Sequence, residues 1–275
     1  MRFKSFFVAC GFVLGCSSGT NTHAPFLSLG CDTPPCPVDR PSGTAQPGGN
    51  ADGGITAVGT GNLTGEVDVF TDPTFVNGTP FTGEGSIVVR GTNDVAGTLS
   101  GASFSVENTD VGGTLWVGVE SVPAGDFLPT VTGVVGTATS VEVAFVRSSI
   151  MEGIVALLPA PATQLTPTQM LAGSAQVVVR FVDAASGAPL PGIEITQPAG
   201  GGVLYDTSSS YSNSFGATGA RGIAIIVNSA AGGAFPGLRT TFSYRLAAVA
   251  DASADVSFAS DVTPDGVTVQ TVSVP

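Results

Sequence analysis

From Ile55 onward the chain is written in short Val/Thr/Ile/Phe runs closed by Gly, Pro, Asn or Asp, with no long helical period between them. β-Branched and aromatic residues suit a pleated, half-buried surface, and the breakers end each run after a few residues. The clearest runs are 141–147 (VEVAFVR), 175–183 (AQVVVRFVD), 222–229 (GIAIIVNS) and 267–275 (VTVQTVSVP). With 38 glycines and only 11% charged residues, the composition fits many short strands joined by tight turns. An all-β fold is predicted. The one predicted helix covers 166–173 (TPTQMLAG), where Thr166 can cap, Pro167 suits the first helical position and Gly173 ends the run. Segment 84–108 is polar and weakly patterned.

The chain also repeats itself. Residues 77–83 (NGTPFTG) recur as 186–192 (SGAPLPG), and 109–117 (TDVGGTLWV) fall on 218–226 (TGARGIAII), both at an offset of 109. Upstream, 67–73 (VDVFTDP) and 177–184 (VVVRFVDA) correspond after a short gap. Duplication of this kind predicts two domains of ~100 residues, a size at which β-sandwiches are common. The expected organisation is domain 1 over 55–158, a Pro-rich linker over 159–173, and domain 2 over 174–275.

The order of these motifs resembles the carboxypeptidase regulatory-like, or prealbumin-like, β-sandwich. In the first half the resemblance runs through Gly78, Pro80, Gly83, Thr109, Asp110, Gly113, Val122, Pro123, Ala124, Gly125 and Phe127. In the second it runs through Asp183, Gly187, Pro189, Leu190, Gly192, Thr218 and Gly222, without the acid after Thr218 or the Val-Pro-Ala-Gly turn. It implies two tandem Ig-like or prealbumin-like sandwiches, commonly non-catalytic accessory or adhesive modules on exported proteins.

The leader supplies the address. Arg2 and Lys4 precede an apolar core over 6–14, too short for a spanning helix of ~20 apolar residues and patterned as a signal peptide. Val13-Leu14-Gly15-Cys16 resembles the lipobox of bacterial lipoproteins. That resemblance implies cleavage after residue 15 and lipidation of Cys16, with acyl chains as the membrane anchor. Ser17, by the same resemblance, favours outer-membrane sorting. Residues 16–54, rich in Ser, Gly, Pro, Thr and Asn, read as a flexible, disordered tether. Within it Cys31 and Cys36 (CDTPPC) are expected to form a disulfide in an oxidising compartment.

Beyond Cys16 the chain keeps seven arginines and no lysine against 21 acids, a net charge of −14. Such a chain lacks the basic patches that displace counterions from nucleic acid. Its only histidine, His23, lies in the tether, where no pocket forms around a catalytic base. Zinc finds no ligand set, and no glycine cluster leads into the Lys-Ser/Thr and helix of a phosphate loop. No metal or cofactor is expected. Acids remain: Glu66 and Asp68 alternate on one run, Glu142 sits on another, and Asp251, Asp255, Asp261 and Asp265 crowd near the end. They are read as solvated strand faces and turns, with carboxylate glycosidase chemistry and a calcium site as sharper alternatives.

Three aromatics are candidate binding residues. Leu115, Val117 and Val119 alternate toward the core, so Trp116 faces the other way beside Gly118. There it covers the junction between the halves, packs under a loop, or forms an exposed contact. Tyr205 and Tyr211 stand in a Ser- and Asn-rich loop, 200–216, a mixture that suits adaptable recognition and equally an idle solvated loop. The function expected is a lipid-anchored, non-catalytic interaction or structural module of the cell envelope, its partner a protein or glycan. The alternative is a carbohydrate- or peptidoglycan-binding accessory lipoprotein.

Overall fold

The computed structural model describes residues 59–91, 94–111, 113–121, 126–136, 140–160, 168–230, 239–249 and 254–275. The leader, the tether with Cys16, Cys31 and Cys36, residues 161–167 of the linker, and Asp251 lie outside them. Among the described residues there are seventeen strands and one helix, and each of the four clearest runs forms a strand.

The first half contributes β1 (Gly59–Phe70), β2 (Gly78–Pro80), β3 (Gly85–Arg90), β4 (Val95–Ser100), β5 (Ser103–Val111), β6 (Thr114–Ser121), β7 (Phe127–Leu128), β8 (Thr130–Val135) and β9 (Val141–Arg147). They run in the order β8-β6-β3-β4-β5-β1-β9-β7, with β2 added beside β1. Leu63, Val67, Ile87, Val106, Val117, Val143 and Phe145 fill the space inside. The ends of this sheet meet: Thr132 Oγ1 and Thr130 Oγ1 accept hydrogen bonds from the backbone N–H of Ala144 (3.0 Å) and Val146 (3.2 Å). Threonine at these inward positions satisfies donors that β9 cannot satisfy in a ladder.

The second half holds β10 (Ser174–Asp183), β11 (Ile193–Gln197), β12 (Gly202–Asp206), β13 (Tyr211–Ser212), β14 (Ile223–Ala230), β15 (Arg239–Leu246), β16 (Val256–Asp261) and β17 (Val267–Val274). Sheet β13-β12-β14-β10-β17 packs on a separate sheet, β11-β15-β16. Between them lie Val177, Val179, Phe181, Ile193, Phe242, Tyr244 and Phe258, a two-layer β-sandwich core.

The repeat offset persists in three dimensions. Gly113 and Gly222 both have positive φ, 63° and 68°, and they open β6 and β14. At Gly222 a Cβ would also stand 2.5 Å from Phe181 O, so backbone and space both require glycine. The backbone N–H of Phe81 donates to Val67 O; Leu190, at the matched donor position, donates to Phe181 O of β10, although that acceptor does not match Val67. In each half the first and last strands run parallel, β1 with β9 and β10 with β17.

The halves are also joined. β17 pairs with β8 as well as β10, parallel to both, so one ladder crosses from half to half. A third cluster fills the joint: Phe75, Val146, Met151, Ile154 and Val155 from the first half meet Val178, Leu204, Tyr211, Ile223, Ile225, Val227 and Val267 from the second.

The predicted helix is corrected. Residues 168–173 are not helical; the helix is α1 (Ser148–Val155), directly after β9. Its Met151, Ile154 and Val155 point together into the joint. Eight residues hold too few turns for a period to stand out beside a strand run. At 168–173 the amide of Asn228 claims the backbone groups instead: Leu171 N–H donates to Asn228 Oδ1 (3.0 Å), and Asn228 Nδ2 donates to Gln169 O (2.9 Å).

Candidate functional site

Each strand facing the joint has one face in its own core and one face free to meet the other half. On β1, Val67 and Val69 point inward, so Asp68 and Phe70 point out. On β9 the same alternation leaves Glu142 and Ala144 outside. On β10, Val177 and Val179 belong to the second core, while Val178 and Arg180 face the joint. Where these faces part, they leave a cleft of about 230 Å³. Asp68, Phe70, Glu142 and Ala144 line one wall; Val178, Arg180, Ile223, Val269 and Thr271 line the other. The 71–77 loop brings Phe75 and Val76 to the rim, folded by Asp72, whose Oδ1 accepts from Thr74 N–H (2.7 Å) and from the Thr74 hydroxyl. Phe75 has φ 51° and sets its ring edge-on to Phe70 at 5.4 Å.

The two walls carry opposite charge. Parallel pairing puts Glu66 opposite Glu142 and leaves Asp68 one step along, so three carboxyls share this stretch. The Glu142 carboxyl is pushed above its usual 4.5, first by a hydrogen bond with Asp68, then by desolvation and the charges of Asp68 and Glu66. The neighbouring acids therefore favour the protonated form of the Glu142 carboxyl. Across the cleft, Arg180 is half-buried and its Nε has no hydrogen-bond partner. Among the described residues no carboxylate comes within ion-pair distance of it.

Two carboxyls joined by a hydrogen bond are closer than the ~5 Å or more needed to flank a glycosidic bond. The other described acids of the chain's end make separate contacts, Asp255 sharing Arg245 with Glu194 (3.9 and 3.0 Å). Asp255 Oδ2 accepts from Thr196 Oγ1 (2.7 Å), Asp265 Oδ1 from Gly173 N–H (2.7 Å), and buried Asp261 faces Arg90 at 3.6 Å. Among the described residues no three Asp, Glu, His or Cys side chains gather as a metal site.

The three candidate aromatics lie in the interior. Trp116 is 3% exposed; its ring covers Gly133 of β8, where a Cβ would stand 2.9 Å from the ring and 3.4 Å from Gln270 Cβ of the second half. Tyr205 sits in the second core, and its hydroxyl accepts from Ile195 N–H (2.9 Å). Tyr211 belongs to the joint, 6.5 Å from Phe75, with the Arg221 guanidinium 5.1 Å over its ring. Burial pushes the Tyr211 hydroxyl far above its usual range, and the oxygen has no partner. Segment 200–216 is therefore no idle loop: β12 and β13 pair within it, and Asp206 organises its far end. That carboxylate accepts from the N–H groups of Gly219 (2.8 Å), Arg221 (2.9 Å) and Ile223 (2.9 Å).

Sequence reasoning passed over Arg180 and left Asp68 and Glu142 as a solvated face. The available signal was a single charged residue inside each of three apolar runs, VDVF, VEVAF and VVVRF.

The chain is thus a β-sandwich protein with a mixed-charge cleft at an internal joint. No family model matches it, and no curated protein does. Solved structures similar to it include a Streptococcal ancillary pilin, 11% identical, covering 77% of this chain and 68% of the pilin at a TM-score of 0.22. Another is a shaft pilin from Lactobacillus rhamnosus GG, 12% identical, covering 78% of this chain and 99% of the pilin at a TM-score of 0.20. Scores this low assign neither topology nor role to this chain.

Proposed function

We propose that this protein is a lipid-anchored, non-catalytic interaction module of the bacterial cell envelope, with the junction cleft as its binding site. The observation that carries the reading is the uncompensated Arg180 facing the Asp68–Glu142 pair across an open cleft. A half-buried cation without an anion costs stability, and a ligand can supply the missing partner. The leader supports the address: Val13-Leu14-Gly15-Cys16 resembles a lipobox, Cys16 carries the lipid, and Ser17 directs the chain to the outer membrane. In this reading the prealbumin-like resemblance extends to both halves, 55–158 and 174–275 are its domains, and Cys31 bonds to Cys36 within the tether.

The test is Cys16→Ser. The variant should keep its leader and move from the detergent phase to the aqueous phase when cells are extracted. Unchanged partitioning would show that Cys16 is not the anchor.

A further inference from the structure

The cleft's two charges belong to two walls that do not neutralise each other. Arg180 comes within ion-pair distance of no described carboxylate, so its charge is not spent on Asp68 or Glu142. The acid pair has no ion-pair partner among the described residues, and the Glu142 carboxyl is pushed above its usual range by Asp68, desolvation and Glu66. Both walls face the same volume, and apolar side chains separate them: Phe70 and Ala144 on one side, Val178 and Val269 on the other. At about 230 Å³ the space is below the ~300 Å³ at which ordinary ligand pockets begin, too small for a sugar chain or a folded partner.

We propose that the junction cleft binds an amino-acid-sized zwitterion, with its carboxylate on the Arg180 guanidinium and its ammonium on the Asp68 and Glu142 carboxyls. The proposal rests on the reading of this chain as a binding module and names its ligand class. Complementarity decides the orientation: the guanidinium fork matches a carboxylate, and the Asp68 and Glu142 carboxyls offer hydrogen-bond acceptors and negative charge to an ammonium. A small side chain on the ligand would lie against Phe70 and Val178. A free amino acid and a dipeptide offer the same two ends.

Calorimetric titration of the full mature chain tests this, with alanine and alanyl-alanine as probes and alaninamide, N-acetylalanine and glucose as controls. One of the two zwitterions should bind saturably, and which of them does so separates a free amino acid from a peptide source. Blocking either end should weaken binding at least tenfold. Arg180→Gln should weaken it by a similar factor, with Arg180→Lys recovering part of the loss, in variants whose far-ultraviolet dichroism is unchanged. An ammonium beside the acid pair favours ionised Glu142. At a pH within the Glu142 titration the binding heat should therefore vary with the ionisation enthalpy of the buffer, and Asp68→Asn, which removes the largest cause of the raised pKa, should reduce that variation. No saturable heat from either zwitterion, equal binding of the blocked probes, or preference for glucose would each overturn the proposal. None of those results touches the anchoring of Cys16, so the two readings fail separately.

Discussion

In the first half the buried polar side chains among the described residues are threonines, Thr109, Thr130 and Thr132; in the second half two carboxylates, Asp206 and Asp261, are 1% and 0% exposed. A buried hydroxyl is satisfied by one or two nearby backbone groups. A buried carboxylate needs a constructed cage, since its desolvation costs several kcal/mol. Asp206 has such a cage within its own half: three N–H donors and the Arg221 guanidinium at 3.7 Å. Asp261 draws on both halves. Its Oδ1 accepts from Thr263 Oγ1 (3.2 Å), and Arg239 of its own half stands opposite it on β15, but the cation 3.6 Å away, Arg90, comes from β3 of the first half. Arg90 Nη1 also donates to Thr263 Oγ1 (2.9 Å). The comparison teaches that similar repeats need not be self-sufficient: one half is closed by neutral groups, and the other borrows a charge.

Separating the halves should produce the largest effect. Expressed apart, 55–158 and 174–275 would each expose their share of the third cluster, and each such side chain contributes ~1.5–3 kcal/mol when buried. Both should melt well below 55–275, which should unfold in one transition followed by dichroism. Equal melting of parts and whole would make the two sandwiches independent and dissolve the contrast drawn here.

Next comes Asp206→Ala, which orphans three N–H donors and leaves Arg221 without its carboxylate. A loss of ~3–5 kcal/mol in urea unfolding is expected. A loss under ~1 kcal/mol would mean that the cage adds little beyond a threonine.

The smallest effect is a pH dependence. Burial holds Asp261 above its usual 3.8, against the opposing pull of Arg90, and Glu142 stands above 4.5. Both groups bind protons more readily folded than unfolded. Their contribution to stability is therefore greatest at low pH, falls as pH rises from those usual values through the raised folded ones, and is flat above. Asp261→Asn should flatten that slope in melts from pH 3 to 7, and Arg90→Ala should steepen it, having removed the pull toward the ionised form. A slope unchanged in both variants would remove Asp261 from the account.

Legibility followed burial. β10 and β14 were plain because their runs are apolar on both faces; β10 has two partly exposed residues in ten. β17 was plain because six of its eight residues are β-branched Val or Thr. β4 was hidden because each second residue of VAGTLS faces solvent, and its inward positions, Val95, Gly97 and Leu99, are only partly buried and include a glycine. Alternation gave the direction of Trp116 correctly, yet both faces of β6 are covered, so direction did not amount to exposure. The cleft was the least legible part. Asp68, Glu142 and Arg180 belong to three strands, and only the packing of one half on the other brings them to one volume.

β17 has a consequence for how the chain comes together. Among the described strands it is made last, yet it occupies the middle of the ladder, between β8 and β10. Until it arrives, both neighbours present unpaired edges with apolar flanks, the surfaces on which nascent β proteins associate wrongly. Pairing β17 with β8 also closes a very long loop, a slow step by its entropy. A chain made from its amino end therefore spends its synthesis with its keystone missing. Residues 267–274 set the moment at which it becomes safe from aggregation.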